Sequence, residues 1–316
     1  MGYDYHVTSL ERTKMTRKPT LKDWVIAVRP WSFPASSMPA LVAFIYVFFL
    51  SRQGSITVNW WFGVLSIIGA LIFQTTGNLI SDYFDYKWKV DREDTYGSSR
   101  LLVEKVFHPK TVLYYGLSFL FAGILLGLFL FSKTGMPLLY IGIIGTAAAV
   151  FYYRFKYHAL GDFLIFIVYG PLITLGTFYV MTSSLDWRIV ALSLPLSCIT
   201  VDILHANNTR DIAHDRRANI KTFAMLIGVK GSILEYKALI YTAYLLLIAL
   251  VSIGILHWIT LSVLFTLPIA INNCRIMEKA SVDQPTNIID LDVKTAQLQL
   301  TFSIIFSGLI FISAWL

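Results

Sequence analysis

Carboxylates and amides at helical spacing close the second apolar run of this chain: Asn78, Asp82 and Asp85, with Asp91 further on. A matching set, Asn207, Asp211 and Asp215, closes a run far downstream. Steps of three and four residues place each trio on one face of a helix. Like charges stacked on one face repel, and carboxylates beside hydrocarbon are costly. Each set therefore calls for a positive counter-charge. Mg²⁺ is the simplest candidate, because it takes oxygen ligands and binds through a few carboxylates plus substrate phosphate oxygens. The competing reading is solvated acids at two helix ends. It has to explain why the pattern occurs twice, each time with an asparagine one turn earlier.

Basic residues accompany both sets: Lys87, Lys89, Arg92 and Arg100 near the first, and Arg210, Arg216, Arg217 and Lys221 near the second. Acids and bases at one mouth suit a magnesium–diphosphate complex, in which metal bridges the oxygens and Arg or Lys clamp them. The positive-inside rule alone would also put bases in these loops, so both explanations stand for most individual bases. Nothing resembles a Walker loop, which disfavours a nucleoside triphosphate. Arg29 precedes Pro30 and Trp31, a helix start with an interfacial anchor; it is either a topology charge or a diphosphate contact. The stretch Phe151–Asp162 is aromatic and basic. It reads either as an aromatic belt or as a third wall of one cavity, with Lys156 on phosphate and rings that stabilise a cation. Asp202 lies two turns before the second set and about 180° around the helix from Asp211, so it need not face the same metal; a functional role and a helix-to-helix hydrogen bond are both open.

The elements that position these residues are membrane spans. The chain has 316 residues, 56% hydrophobic and 14% charged, with a mean hydropathy of +0.64. That composition excludes a soluble domain and indicates a polytopic membrane protein. Stretches of about 20 apolar residues predict nine helices at 31–50, 60–81, 112–131, 137–153, 160–182, 189–209, 233–256, 258–274 and 296–316. With the N-terminus inside, 22 of the 26 Lys and Arg residues fall on the cytoplasmic side and 3 outside, which fits nine spans with the C-terminus outside. Both acidic sets then face the cytoplasm. They lie four segments apart in the same orientation, as in two parallel four-helix halves with a site between them. Residues 1–23 read as a polar cytoplasmic segment without a cleavable signal, and 24–316 as the membrane domain. The net charge of +7 fits loops facing anionic lipid, not nucleic acid. Cys198 and Cys274 lie in apolar runs and give no disulfide framework or zinc spacing.

Taken together, these stretches resemble the UbiA superfamily of intramembrane prenyltransferases across almost the whole length. The spacing of Asp82, Asp85 and Asp91, followed by Gly97-Ser98-Ser99-Arg100-Leu101-Leu102-Val103, is similar to its menaquinone branch (MenA-type). So is Asn207-Asn208-Thr209-Arg210-Asp211 through Asp215-Arg216. Ala27–Phe33 and Leu204–Asn208 lean toward the animal menaquinone-4 synthases. Ser81, Asn219 and Ile220 depart from the branch pattern, and Lys221 is left as the nearest base there. Asp91 lies beyond the shared helix face, and its six-residue gap from Asp85 speaks for the branch more than for metal ligation.

The resemblance implies an all-α bundle of nine transmembrane helices around a central cavity open sideways to lipid, in a bacterial inner membrane or a eukaryotic endomembrane. It implies Mg²⁺ on Asn78, Asp82, Asp85, Asn207, Asp211 and Asp215, and diphosphate contacts from Arg29, Arg100 and Lys156, with Arg210 and Lys221 as further bases. Tyr152 and Tyr153 would stabilise an allylic cation. The donor would be an isoprenyl diphosphate. The acceptor would be 1,4-dihydroxy-2-naphthoate, decarboxylated on transfer, or menadiol. Within the superfamily, 4-hydroxybenzoate and homogentisate are the alternative acceptors. Outside it, a transporter built from repeats is the rival, and it predicts acids near mid-membrane rather than at one face.

Overall fold

The computed structural model describes residues 15–54, 56–97 and 99–316. Among these, nine helices are long and apolar enough to cross a membrane: α1 Leu21–Arg52, α2 Trp60–Lys87, α3 Pro109–Thr134, α4 Met136–Tyr157, α5 Gly161–Thr182, α6 Trp187–Arg210, α7 Phe223–Ser252, α8 Trp258–Met277 and α9 Pro285–Ser313. No strand occurs among the described residues, apart from an isolated bridge between His158 and Lys221. Most of the polar N-terminal segment expected over 1–23 lies outside the described residues.

Local sequence sets the helix starts. Thr20 and Asp23 form a reciprocal capping box at α1, Asn59 accepts from the Phe62 amide at α2, and Asp186 accepts from the Arg188 amide at α6. Gly135, at φ 99°, supplies the sharp turn between α3 and α4. Four boundaries differ most from the sequence expectation: α1 begins at Leu21 and α9 at Pro285, both earlier than expected, and α2 and α7 also shift. The second helix runs on to Lys87, past the expected end at 81, and so keeps Asp82 and Asp85 in the same helix as Asn78, as their spacing predicts. The seventh begins at Phe223, ten residues earlier than expected, as a short helical piece that Gly228, non-helical at φ 67°, separates by a kink from the long apolar helix.

The bundle is organised around α6. In α6, 72% of the membrane-spanning window is buried, against 6% in α4. α6 packs against α7, α9 and α5. The core holds Tyr46, Tyr236, Phe302 and Phe306, all at most 1% exposed. Hydroxyl pairs stitch helices together, such as Tyr236 to Thr295 at 2.6 Å and Tyr244 to Thr266 at 2.7 Å. Helix α5 is interrupted by a π-turn over Val168–Leu172 that contains Pro171. Gly170 in that turn lies so close to Ser197 that any side chain there would overlap its hydroxyl. Helix α4 is a thin wall: it has cavity on one side and its other flank is exposed.

Candidate active site

The ends of α2 and α6 come together around a small polar chamber of about 50 Å³, room for roughly four water-sized groups. Asp85 and Asp91 enter it from the first set, and Asn207, Asp211 and Asp215 from the second. Arg29 and Lys156 supply its positive charge. Directly beside it is an apolar cavity of about 810 Å³ running between α1–α6, at the upper end of the range for small-molecule sites. Arg29, Asp85, Lys156 and Asn207 line both spaces. The boundary between charge and hydrocarbon is therefore drawn by two bases, one acid and one amide.

Each side chain of the first set is tied down from another element. Asp82 is paired with Arg29, and Ser99 Oγ donates to its second oxygen at 2.8 Å. Asp85 accepts from Tyr157 OH at 2.5 Å, from Lys156 Nζ at 3.2 Å and from Ser81 Oγ at 3.2 Å. Asn78 donates to Ser32 Oγ at 2.9 Å and to the Val28 carbonyl at 3.2 Å, while Gln74 donates to its oxygen at 3.3 Å. Asn78 lines the apolar cavity, and Asp82 lines neither space; its carboxylate stands one ion pair behind the chamber, holding Arg29. Arg29 itself sits at φ 54°, an uncommon conformation for a residue other than glycine, immediately before Pro30. Its Nε is buried and has no hydrogen-bond partner among the described residues, a donor available to an anion.

The second set is braced differently. Arg210, only 3% exposed in its side chain, donates to Asp211 at 3.0 and 2.9 Å and pairs with Asn207. It also reaches Asp292 and the Ile289 carbonyl at the start of α9, both at 3.1 Å. A short helix, Ile212–Arg217, then carries Asp215 back to the chamber. Burial pushes the Asp215 carboxyl up to about 7; Lys156 pulls it down, and Asp211, Asp85 and Asp91 push it further up. Six carboxylate or amide residues line this chamber, Asn208 being the sixth, against Arg29, Lys156 and the imidazole of His214. A donor set dominated by carboxylate and amide oxygens fits Mg²⁺.

Several expected residues are elsewhere. Arg100 is turned into its own loop, donating to the carbonyls of Thr95 at 2.5 Å and Glu93 at 3.2 Å, and lines neither space. Arg210 acts as a brace rather than lining either space. Lys221 is exposed and lines neither space; its amide donates to the Tyr157 carbonyl at the end of α4. Tyr152 lines the apolar cavity, but Tyr153 stacks on Phe84 with centroids 3.7 Å apart and lines neither. One residue moves the other way. Asp91 reaches the chamber because α2 ends after Lys87, Lys89 adopts φ 57°, and the Asp91 amide bonds back to the Asp85 carbonyl at 3.1 Å. Sequence reasoning also missed Tyr157, Gln74 and Tyr169. Gln74 had a signal, since it lies one turn before Asn78 on the same face. Tyr169 lines the cavity from the π-turn of α5, which no periodicity announces.

Among the described residues, nine membrane-length helices enclose a charged chamber beside an apolar cavity, the arrangement of an integral-membrane protein with an amphiphilic site. Residues 33–285 match the UbiA prenyltransferase family, and the chain belongs to that family. Among curated proteins it is 32% identical to the rat UbiA prenyltransferase domain-containing protein 1 over 229 residues, 71% of this chain and 66% of the rat protein. It is 33% identical to the Drosophila melanogaster homolog over 232 residues, 71% of this chain and 63% of that one. The chain thus spans slightly under two thirds of the length of these relatives. The fold is that of a UbiA homolog from Aeropyrum pernix K1 (TM-score 0.62, 18% identity, 87% of this chain and 97% of that one). It is also that of a UbiA homolog from Archaeoglobus fulgidus bound to GPP and Mg²⁺ (TM-score 0.59, 14% identity, 90% and 99%).

Proposed function

We propose that this chain is a Mg²⁺-dependent prenyltransferase that moves a polyprenyl group from an allylic diphosphate to a naphthoquinol-type acceptor. That acceptor is 1,4-dihydroxy-2-naphthoate, with loss of carbon dioxide, or menadiol, as in menaquinone biosynthesis. The observation that carries the reading is the seam at which Arg29, Asp85, Lys156 and Asn207 line both the polar chamber and the apolar cavity. A prenyl diphosphate has a head and a tail that match those two spaces. The archaeal relative bound to GPP and Mg²⁺ supports the donor class. The Asp82–Asp85–Asp91 spacing and the Asn207–Asp215 stretch support the menaquinone branch.

Asp85, Asp91, Asn207, Asp211 and Asp215 would hold Mg²⁺, with Asn78 and Asp82 as its near neighbours. Bound there, the ion would neutralise charge developing on the leaving diphosphate. Arg29 and Lys156 would clamp the same oxygens from the tail side, and Arg29 Nε is positioned to donate. Tyr157 and Lys156 hold the Asp85 carboxylate oriented before substrate arrives. The apolar wall keeps water from the allylic cation, and Tyr152 and Tyr169 present rings and hydroxyls beside the space where the tail and acceptor meet. The Lys and Arg distribution supports a chamber facing the cytoplasm and a multi-pass protein of a bacterial inner membrane or an endomembrane.

The test is to offer the protein in lipid nanodiscs a panel of acceptors and prenyl diphosphates, and to read product masses. A prenylated naphthoquinol is expected. Products formed only with 4-hydroxybenzoate or homogentisate would move the protein to another branch of its family.

A further inference from the structure

A second polar cluster lies behind the face of α6 that carries Asn207 and Asp211, with Asp162 and His205 buried and Glu235 half-buried. His205, wholly buried, has Nδ1 at 2.7 Å from Asp162 Oδ2 on α5 and at 3.2 Å from Glu235 Oε2 on α7. One ligand atom from each of Asp162, His205 and Glu235 lies within 4.8 Å of the others. None of the three lines the polar chamber or the apolar cavity. Asp202, one turn before His205 on the same helix face, is also fully buried and feels the charges of Glu235 and Asp162.

The hydrogen bonding of this cluster does not close. One imidazole nitrogen carries at most one proton, yet His205 Nδ1 faces two carboxylates; its bond to Asp162 leaves Glu235 Oε2 buried without a partner. Both Asp202 oxygens and His205 Nε2 are likewise buried with no partner. Buried polar atoms in folded proteins are nearly always satisfied, and a concentration of exceptions points to a bound ion or water. Acids at membrane depth also need a partner of opposite charge. Water would satisfy hydrogen bonds but leave the carboxylates repelling one another. A dication between His205 Nδ1 and the carboxylates answers the repulsion and the unpaired carboxylate oxygens, and an imidazole beside carboxylates suits Mn²⁺, Fe²⁺ or Zn²⁺ better than Mg²⁺.

We propose that Asp162, His205 and Glu235, with Asp202 alongside, form a second cation site for a first-row transition-metal dication, fastening α6 to α5 and α7. The site is separate from the chamber but coupled to it: Asn208 lines the chamber and donates to Asp162 Oδ1 at 3.3 Å. The bound ion would fix the rotation of α6 and so the aim of Asn207 and Asp211.

The experiment strips the purified full-length protein with chelator, reloads it with Mn²⁺ or, separately, Zn²⁺, and removes free ion by gel filtration. Bound metal is counted by mass spectrometry, and the Mn²⁺ form is examined by pulsed EPR for imidazole nitrogen coupling. His214 lines the chamber, so the count is repeated in Asp85→Asn/Asp211→Asn, which disables that site. About one ion per chain with nitrogen coupling is expected there. Glu235→Gln is expected to weaken retention by on the order of 100-fold or more while the protein stays monodisperse; Asp202→Asn provides a second, nearly isosteric variant expected to weaken it less. The proposal is overturned if the chamber variant retains no Mn²⁺ or Zn²⁺, if nitrogen coupling is absent from it, or if Glu235→Gln binds as well as its parent. None of these readouts depends on prenyl transfer.

Discussion

The two acidic sets look alike in sequence and are held in opposite ways. Asp82 and Asp85 are gripped by side chains from other parts of the bundle, namely Arg29, Ser99, Lys156 and Tyr157. Arg29 and Lys156 also line the cavity. Their charges are shared between holding the acids and meeting a substrate. Asn207 and Asp211 are gripped by Arg210 from their own helix, which is anchored to Asp292 and Ile289 on α9 and lines no cavity. The first set is poised for reaction and the second is built into the framework. Removing a base near the first set should therefore cost catalysis, whereas removing the base near the second should cost stability.

Variants can break or sharpen that contrast. The largest effect is expected for Asp85→Asn, which keeps the shape and removes the charge at the seam: turnover should fall by about 10³-fold or more with unchanged elution on size exclusion. Arg210→Met should instead lower stability by roughly 1–3 kcal/mol, since it removes the charged hydrogen-bond donor of the half-buried Asp211 and Asp292; a drop in Tm in detergent is the readout, and an unchanged Tm would dissolve the contrast. Lys156→Met should act mainly on the donor, raising KM for the prenyl diphosphate by roughly 10- to 100-fold, with little change in Tm.

A smaller effect concerns pH. With burial holding Asp215 near 7, this carboxyl is protonated below that value and charged above it. Cation binding favours the charged form. Mg²⁺ half-saturation should therefore be weaker at pH 6 than at pH 8, by about tenfold, and Asp215→Asn should flatten the dependence. The smallest effect is expected for Arg100→Ala: its guanidinium serves the loop carbonyls of Thr95 and Glu93, so initial rates should change by less than about threefold.

Helical periodicity made most of the site legible in advance. It placed Asn78, Asp82 and Asp85 on one face and counted the spans, because both depend on spacing within single helices. Legibility failed where the chain leaves that period. Lys89, Arg100 and Lys105 all adopt positive φ between α2 and α3, and this irregular loop turns Asp91 into the chamber and Arg100 away from it. Neighbouring positions on one helix were also indistinct: Tyr152 lines the cavity and Tyr153 stacks outside, a rotation of about 100° that only the packing of Phe84 decides. The pairing of His205 with Asp162 and Glu235 joins three helices, and no spacing within any one of them announces it.

The most direct test of the central claim is initial-rate product formation in nanodiscs with Mg²⁺ and with excess chelator, for wild type and Asp85→Asn in parallel. Prenylated product that requires Mg²⁺ in wild type and nearly vanishes in Asp85→Asn is the predicted result. Undiminished turnover in chelator, or wild-type rates in Asp85→Asn, would contradict a metal–diphosphate chamber at the seam of the two cavities.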